Sequence, residues 1–217
     1  GLGGLPWIAT FLTTIGVLIM VYGEIMALRE VNLKRMLAYS TMGQLGEIAL
    51  VLGLSTWLST VAGLSHVLNH AVMKNLLFLG AGALVMRAGS RKLADLAGLG
   101  RVMPWTAACM TVGALAIMGL PPFAGFSSKY LMLRACVAAG HVELAALLLL
   151  ASLAGAVYYM RIIRQLVFKP YEGPAVTDAP WSMRLPILCL AALCVRLGLA
   201  PQLNLALVLP VADMLAG

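Results

Sequence analysis

Long apolar runs separated by short polar connections dominate the chain. They predict six helical segments, over about 5–27, 36–55, 60–86, 104–138, 143–168 and 185–212. At 1.5 Å per residue, about 20 residues are enough to cross roughly 30 Å of hydrocarbon. A soluble core cannot absorb so many runs of that length, so the pattern reads as an all-α, polytopic membrane protein. The fourth run is too long for one straight span, and GLPPFAGFSSK (119–129) interrupts it midway. Pro121 and Pro122 withhold backbone donors, while Gly119 and Gly125 loosen the flanks. A discontinuous helix is expected there, its second half starting close to Ser127, Ser128 and Lys129. Such breaks are tolerated at membrane depth where they line a cavity, and in transporters they mark ion sites.

The polar connections divide by charge. LREVNLKR (28–35) is basic, 87–103 holds Arg87, Arg91, Lys92 and Arg101, and Arg161, Arg164, Lys169 and Arg184 surround YEGPAVTDAP (171–180). The turns near 56–59 and 139–142 contain no Lys or Arg. Positive charge on alternate connections predicts an outside N-terminus and three cytoplasmic basic loops, in a bacterial inner membrane. Composition adds weight without changing the picture: 62% of residues are hydrophobic, 11% are charged, and mean hydropathy is +0.97. The net charge of +7 would suggest nucleic acid in a soluble domain. Here topology accounts for it, and no nucleic-acid partner is expected. Cys109, Cys136, Cys189 and Cys194 lie in apolar runs without a CxxC pair and read as packing residues. The chain opens on Gly1, with no signal-peptide pattern, which predicts a processed chain or a fragment of a longer one.

Function is sought in the ionisable residues that fall inside the apolar runs, where such groups need a wet cavity or a partner. In GLSHVLNHAVMKNLLF (63–78), His66, His70 and Lys74 recur every fourth residue, about 6 Å apart on one helix face. Ser65 and Asn69 widen the stripe. Helix-packing hydrogen bonds and an HxxxH metal pair are alternatives to a proton path. The metal reading lacks a carboxylate or cysteine to complete its ligand set. Histidine gains and loses its proton near neutral pH, which favours the path. Glu47 lies about eleven residues into the second segment and His70 about ten into the antiparallel third. Similar depths predict a Glu47–His70 or Glu47–Lys74 pairing. Glu24, close to its helix end and to Arg29, reads as an interfacial ion pair, with a place on the path as the lesser reading. Lys129, near the start of a half-helix, can take and release a proton when a neighbouring charge changes. Arg196, just before GLAP (198–201), marks an early helix end or none, and neither it nor Arg134 receives a role.

Three stretches in this order, LKRMLAYSTMGQLG (33–46), LSHVLNHAVMKNLLFLGAGAL (64–84) and GLPPFAGFSSK (119–129), resemble the antiporter-like proton-translocating membrane subunits. That family includes the large membrane subunits of respiratory complex I, those of membrane-bound hydrogenases and formate hydrogenlyase, and Mrp-type cation/proton antiporter subunits. The resemblance covers roughly residues 20–135, and the remaining segments agree in hydropathy alone. It implies a fold with two inverted repeats, each containing one broken helix. This chain would supply the second repeat, about 5–138 plus 143–168, and an additional C-terminal helix over 185–212, as a single membrane domain. The resemblance further implies that His66, His70 and Lys74 belong to a central hydrophilic axis. It places Lys129 on the second broken helix, at proton exit, and Lys34 at the basic position opening the preceding helix. Three departures stand out. The family's Glu–Lys pair from the first repeat has no counterpart, Asn32-Leu33 replaces an acidic residue before the KR pair, and Glu47 stands where Tyr is frequent.

Together these readings predict proton, or cation/proton, translocation in a subunit of a redox-driven complex of the NADH dehydrogenase or hydrogenase type. An Mrp-type Na⁺/H⁺ antiporter subunit, a small-solute transporter and a non-conducting structural subunit are the rivals. No GxGxxG, iron–sulfur or haem pattern is present, so the chain is read as non-catalytic and without a cofactor of its own. The expected partners are other membrane subunits, the lipid bilayer, cardiolipin against the basic loop 87–101, and protons or Na⁺.

Overall fold

A computed structural model of the protein describes residues 6–174 and 176–216, so the expected start of the first segment at residue 5 lies outside the described residues. Eight α-helices follow in order: α1 (Pro6–Arg29), α2 (Leu33–Gly53), α3 (Trp57–Ala88), α4 (Pro104–Met118), α5 (Ala124–Ala138), α6 (Val142–Ile163), α7 (Trp181–Leu199) and α8 (Gln202–Ala216). Among the described residues there is no strand, only an isolated bridge between Asn32 and Lys92. Four helical stretches are long and apolar enough to cross a membrane by themselves: α1, α3, α6 with its π-helical extension to Phe168, and α7. Lys34, Arg35 and Glu47 make α2 more polar, while α4 and α5 are fifteen residues each and form the expected interrupted segment.

The last segment differs from the sequence expectation. Residues 181–216 form two helices interrupted at Ala200–Pro201, because Pro201 cannot continue the α7 ladder. Arg196 therefore does sit in a terminal turn, and its carbonyl accepts the Ala200 N–H at 2.9 Å. At the other break, Gly119 closes α4 with φ of +83°, a left-handed conformation that glycine adopts without strain. Pro121 and Pro122 lie exposed in the connection. Gly125 does not loosen the chain. It is buried in the first turn of α5, and an added Cβ would meet the carbonyl oxygen of Ala116 on α4. The second half-helix begins at Ala124, placing Ser127, Ser128 and Lys129 in its first two turns.

The bundle is inverted relative to a soluble protein. Large apolar side chains such as Trp7, Phe11, Leu18, Leu150, Leu153 and Val157 face outward, while charged and amide side chains are buried inside. Lipid tails are as apolar as leucine, so burial of apolar area cannot drive helix association here; close packing and internal hydrogen bonds must. Gly16 on α1 and Gly46 on α2 provide the close packing, since a Cβ on either would strike the backbone of the other helix. At one end of the bundle the three basic connections meet. Leu33 N–H donates to Arg91 O, Leu93 N–H to Val31 O and Gly98 N–H to Gln165 O, each at 2.9 Å. Arg161 fastens α6 to the same end through the carbonyls of Leu28 and Glu30. Asn32 caps α2 by accepting from the Lys34 and Arg35 N–H groups.

Candidate functional site: two polar clusters along one buried helix

α2 and α3 pack antiparallel, so moving up α3 from His66 to Lys74 moves down α2 from Gln44 to Leu37. Eight residues of α3 separate these contacts by about 12 Å. Around each end of this interval a separate polar cluster forms.

The first cluster joins α2, α3, α5 and α6. Lys129 Nζ donates to both carboxylate oxygens of Glu47, at 3.1 and 3.2 Å, and to Ser152 Oγ at 2.9 Å. Glu47 is 1% exposed and Lys129 9%, making this a buried ion pair. Gln44, one turn earlier on α2, donates from Nε2 to Glu47 Oε1 at 2.8 Å. Its Oε1 lies 3.0 Å from His66 Nε2, and His66 Nδ1 lies 2.9 Å from Ser128 Oγ. Asn69 donates to Ser128 Oγ at 3.1 Å and to the carbonyl of Ala124, the first residue of α5, at 2.7 Å. Asn204 on α8 completes the cluster by donating to Asn69 Oδ1 at 2.7 Å and Ser65 O at 3.1 Å. A cavity of about 10 Å³, on the scale of one water, lies beside Glu47, Lys129 and Ser152.

The second cluster joins α1, α2, α3 and α6. Lys74, 5% exposed, donates to Leu37 O at 3.1 Å, Ser40 Oγ at 2.9 Å and Tyr159 Oη at 3.1 Å. Ser40 Oγ also lies 2.8 Å from Tyr159 Oη and 2.9 Å from Tyr158 Oη. Tyr158 Oη in turn approaches Glu24 Oε1 at 3.3 Å, while Glu24 Oε2 is buried without a hydrogen-bond partner among the described residues. The carboxyl group occupies the space left by Gly43, whose Cβ would run into Glu24 Oε1.

His70 stands between the clusters. Its ring centroid is 6.1 Å from that of His66, and its Nε2 is buried without a hydrogen-bond partner among the described residues. Lys74 is one helical turn further on.

Two expected pairings are corrected by this geometry. Glu47 pairs with Lys129 rather than with His70 or Lys74, because α5 brings Lys129 to its depth from the other side of the helix break. Glu24 is not an interfacial ion pair with Arg29. It points inward, 4% exposed, towards Tyr158. Lys34 lies half-buried in the first turn of α2, one turn from Leu37, whose carbonyl receives Lys74. Gln44, Ser40, Ser152, Tyr158, Tyr159 and Asn204 were not singled out from the sequence. Their signal was the isolated amide or hydroxyl within an apolar run. Among the described residues, no group of three or more His, Cys, Asp or Glu side chains is placed to hold a metal ion.

With this geometry in hand, comparison with known proteins is informative. Residues 4–155 match the family described as NADH:quinone oxidoreductase/Mrp antiporter, TM. The chain belongs to this family. Among curated relatives, it is 36% identical over 194 residues to the NADH-quinone oxidoreductase subunit N of Desulforudis audaxviator (strain MP104C). That alignment takes in 83% of this chain and 39% of the relative. Among solved structures, a chain of the archaeal membrane-bound sulfane sulfur reductase superposes with a TM-score of 0.88 and 35% identity, over 96% of this chain and 42% of that one. A chain of the Mrp complex from Dietzia sp. DQ12-45-1b superposes with a TM-score of 0.90 over 98% of this chain and 47% of that one; at 24% identity it speaks for the fold. The chain thus spans about two fifths of the length of the curated relatives it matches. As an antiporter-like membrane subunit, it holds both polar clusters inside an apolar bundle, and both lie largely within the matched residues.

Proposed function

We propose that the chain forms one part of an ion-translocating path in a subunit of a redox-driven membrane complex, carrying protons along Lys74, His70, His66, Glu47 and Lys129. The single observation that supports this best is the succession of buried titratable groups along α3. The hydrogen-bonded clusters at Lys74 and Lys129 flank His70, whose ring nitrogen has no hydrogen-bond partner. Titratable groups inside an apolar bundle are costly, and a conducting role accounts for their number and alignment. Protons arrive from the basic-loop side past Lys34 to Lys74. They hop across His70 and His66, and leave through the Glu47–Lys129 pair at the broken helix. Asn69 and Ser128 hold the histidines, and Glu24 accepts charge from Lys74 through Ser40 and Tyr158. The basic connections face the cytoplasm of a bacterial inner membrane, by the alternation of positive charge.

The relatives' printed functions support a redox-driven host, since a quinone oxidoreductase subunit and a respiratory reductase are among them. The Mrp likeness supports the second reading, exchange of protons for a cation such as Na⁺. Other membrane subunits are the partners under either reading. Cardiolipin at residues 87–101 would share its surroundings with the carboxylates Asp95 and Glu172, which line a cavity of about 210 Å³ beside Arg87. The test is proton pumping by the full-length protein in its assembled complex. Lys129→Ala and Lys74→Ala should each reduce pumping severely while assembly persists; undiminished pumping in either variant would remove that lysine from the path.

A further inference from the structure

The first cluster has a direction. Asn204 must present its amide nitrogen to Ser65 O, because a backbone carbonyl can only accept. The same nitrogen donates to Asn69 Oδ1, so the Asn69 nitrogen faces the carbonyl of Ala124 and Ser128 Oγ. Two backbone carbonyls, one at each amide, therefore fix both asparagines. At the opposite end, Gln44 turns its nitrogen to the Glu47 carboxylate, leaving Oε1 to accept from His66 Nε2. A neutral imidazole donates from one nitrogen and accepts at the other, so Nδ1 accepts from the Ser128 hydroxyl at 2.9 Å. Every donor from α8 inward thus points towards the carboxylate.

We propose that Asn204 is a positioning residue: through Asn69 and Ser128 it holds neutral His66 with its proton on Nε2, facing Gln44 and Glu47. Ser128 Oγ always receives the Asn69 N–H, which leaves its own proton two destinations, His66 Nδ1 at 2.9 Å or Gly125 O at 3.3 Å. When His66 takes up a proton at Nδ1, the Ser128 O–H turns to Gly125 O and accepts the new N–H. One proton is gained by the ring and no other bond breaks. The hydroxyl is a two-position switch, and α8 sets its positions. This rests on the transport reading above for its purpose, although the hydrogen-bond geometry stands independently of it.

The test is solid-state ¹⁵N NMR of the histidine-labelled, full-length protein in its complex, with the His66 signals assigned by their loss in His66→Gln. The wild type should show one neutral tautomer, protonated on Nε2. Asn204→Leu keeps the bulk and removes the donor, and should let the second tautomer appear, changing the tautomer ratio by up to about tenfold, the equilibrium worth of one hydrogen bond. Ser128→Ala, acting next to the ring, should shift the ratio at least as far. A wild-type ring protonated on Nδ1, or an unchanged single tautomer in Asn204→Leu, would overturn the proposal. The tautomer is read without reference to transport. A locked ring together with undiminished pumping in Lys74→Ala would therefore overturn the transport reading and leave the lock standing.

Discussion

The two buried lysines occupy opposite electrostatic settings. Lys129 is held directly by the Glu47 carboxylate, whereas Lys74 is surrounded by a carbonyl and hydroxyls, with the Tyr159 ring 5.8 Å from its nitrogen. Its nearest carboxylate along the hydrogen bonds is Glu24, reached through Ser40 and Tyr158. A proton lost from Lys74 leaves only neutral groups around it. A proton lost from Lys129 leaves Glu47 without its counter-charge, unless the carboxylate takes that proton itself. The difference teaches a division of labour: the neutral surroundings of Lys74 suit loading and unloading, and the paired surroundings of Lys129 suit a latch that opens when Glu47 is neutralised.

The sharpest way to break this comparison is to remove one member of the pair. Lys129→Ala leaves Glu47 buried and unpaired, which should abolish pumping and destabilise the bundle by about 3–5 kcal/mol in thermal or denaturant unfolding. The double variant Glu47→Gln with Lys129→Met should recover much of that stability while remaining inactive. The next effect separates rigid from yielding surroundings. Gly125→Ala drives a methyl group into the Ala116 carbonyl and should cost about 1–3 kcal/mol. Gly43→Ala meets the flexible end of Glu24 instead, and should cost less stability while displacing that carboxyl.

This contrast between the lysines was only partly legible in the sequence. The period-four stripe on α3 placed His66, His70 and Lys74 on one face without further help. The proline-glycine break gave the interrupted helix. The partner of Glu47 was not legible, because depth along α2 and α3 matches Glu47 to His70 but carries no information about where α5 enters the bundle. Glu24 looked interfacial because its place in the chain is close to the helix end and to Arg29. The direction its side chain takes depends on Gly43, a small residue on another helix. The break at Ala200–Pro201 was hidden by uninterrupted hydropathy on both sides of it.

Smaller effects sharpen the second cluster. Tyr158→Phe removes the hydroxyl between Ser40 and Glu24, and should cost about 1 kcal/mol and slow pumping without stopping it. If pumping is unaffected, Glu24 is not connected to Lys74 in function. The smallest effect belongs to the surface pair Glu30–Arg35, whose 3.1 Å separation matches that of Lys129–Glu47. Glu30 accepts the Asn32 and Val31 N–H groups, and the bond from Asn32, more than any other influence, holds its carboxyl below the usual carboxylate range. Its contribution is therefore present above that usual range and is lost as pH falls through the lowered value. Glu30→Gln should flatten this acid-side dependence of stability and leave pumping unchanged.

The central claim is that the two clusters are halves of one path joined at His70. His70→Leu tests it most directly, because it leaves every hydrogen bond of both clusters in place. Proton pumping should be measured in membrane vesicles carrying the full-length variant in its complex, beside an assay of assembly. The account predicts normal assembly with pumping lost; normal assembly with pumping at the wild-type rate would contradict it.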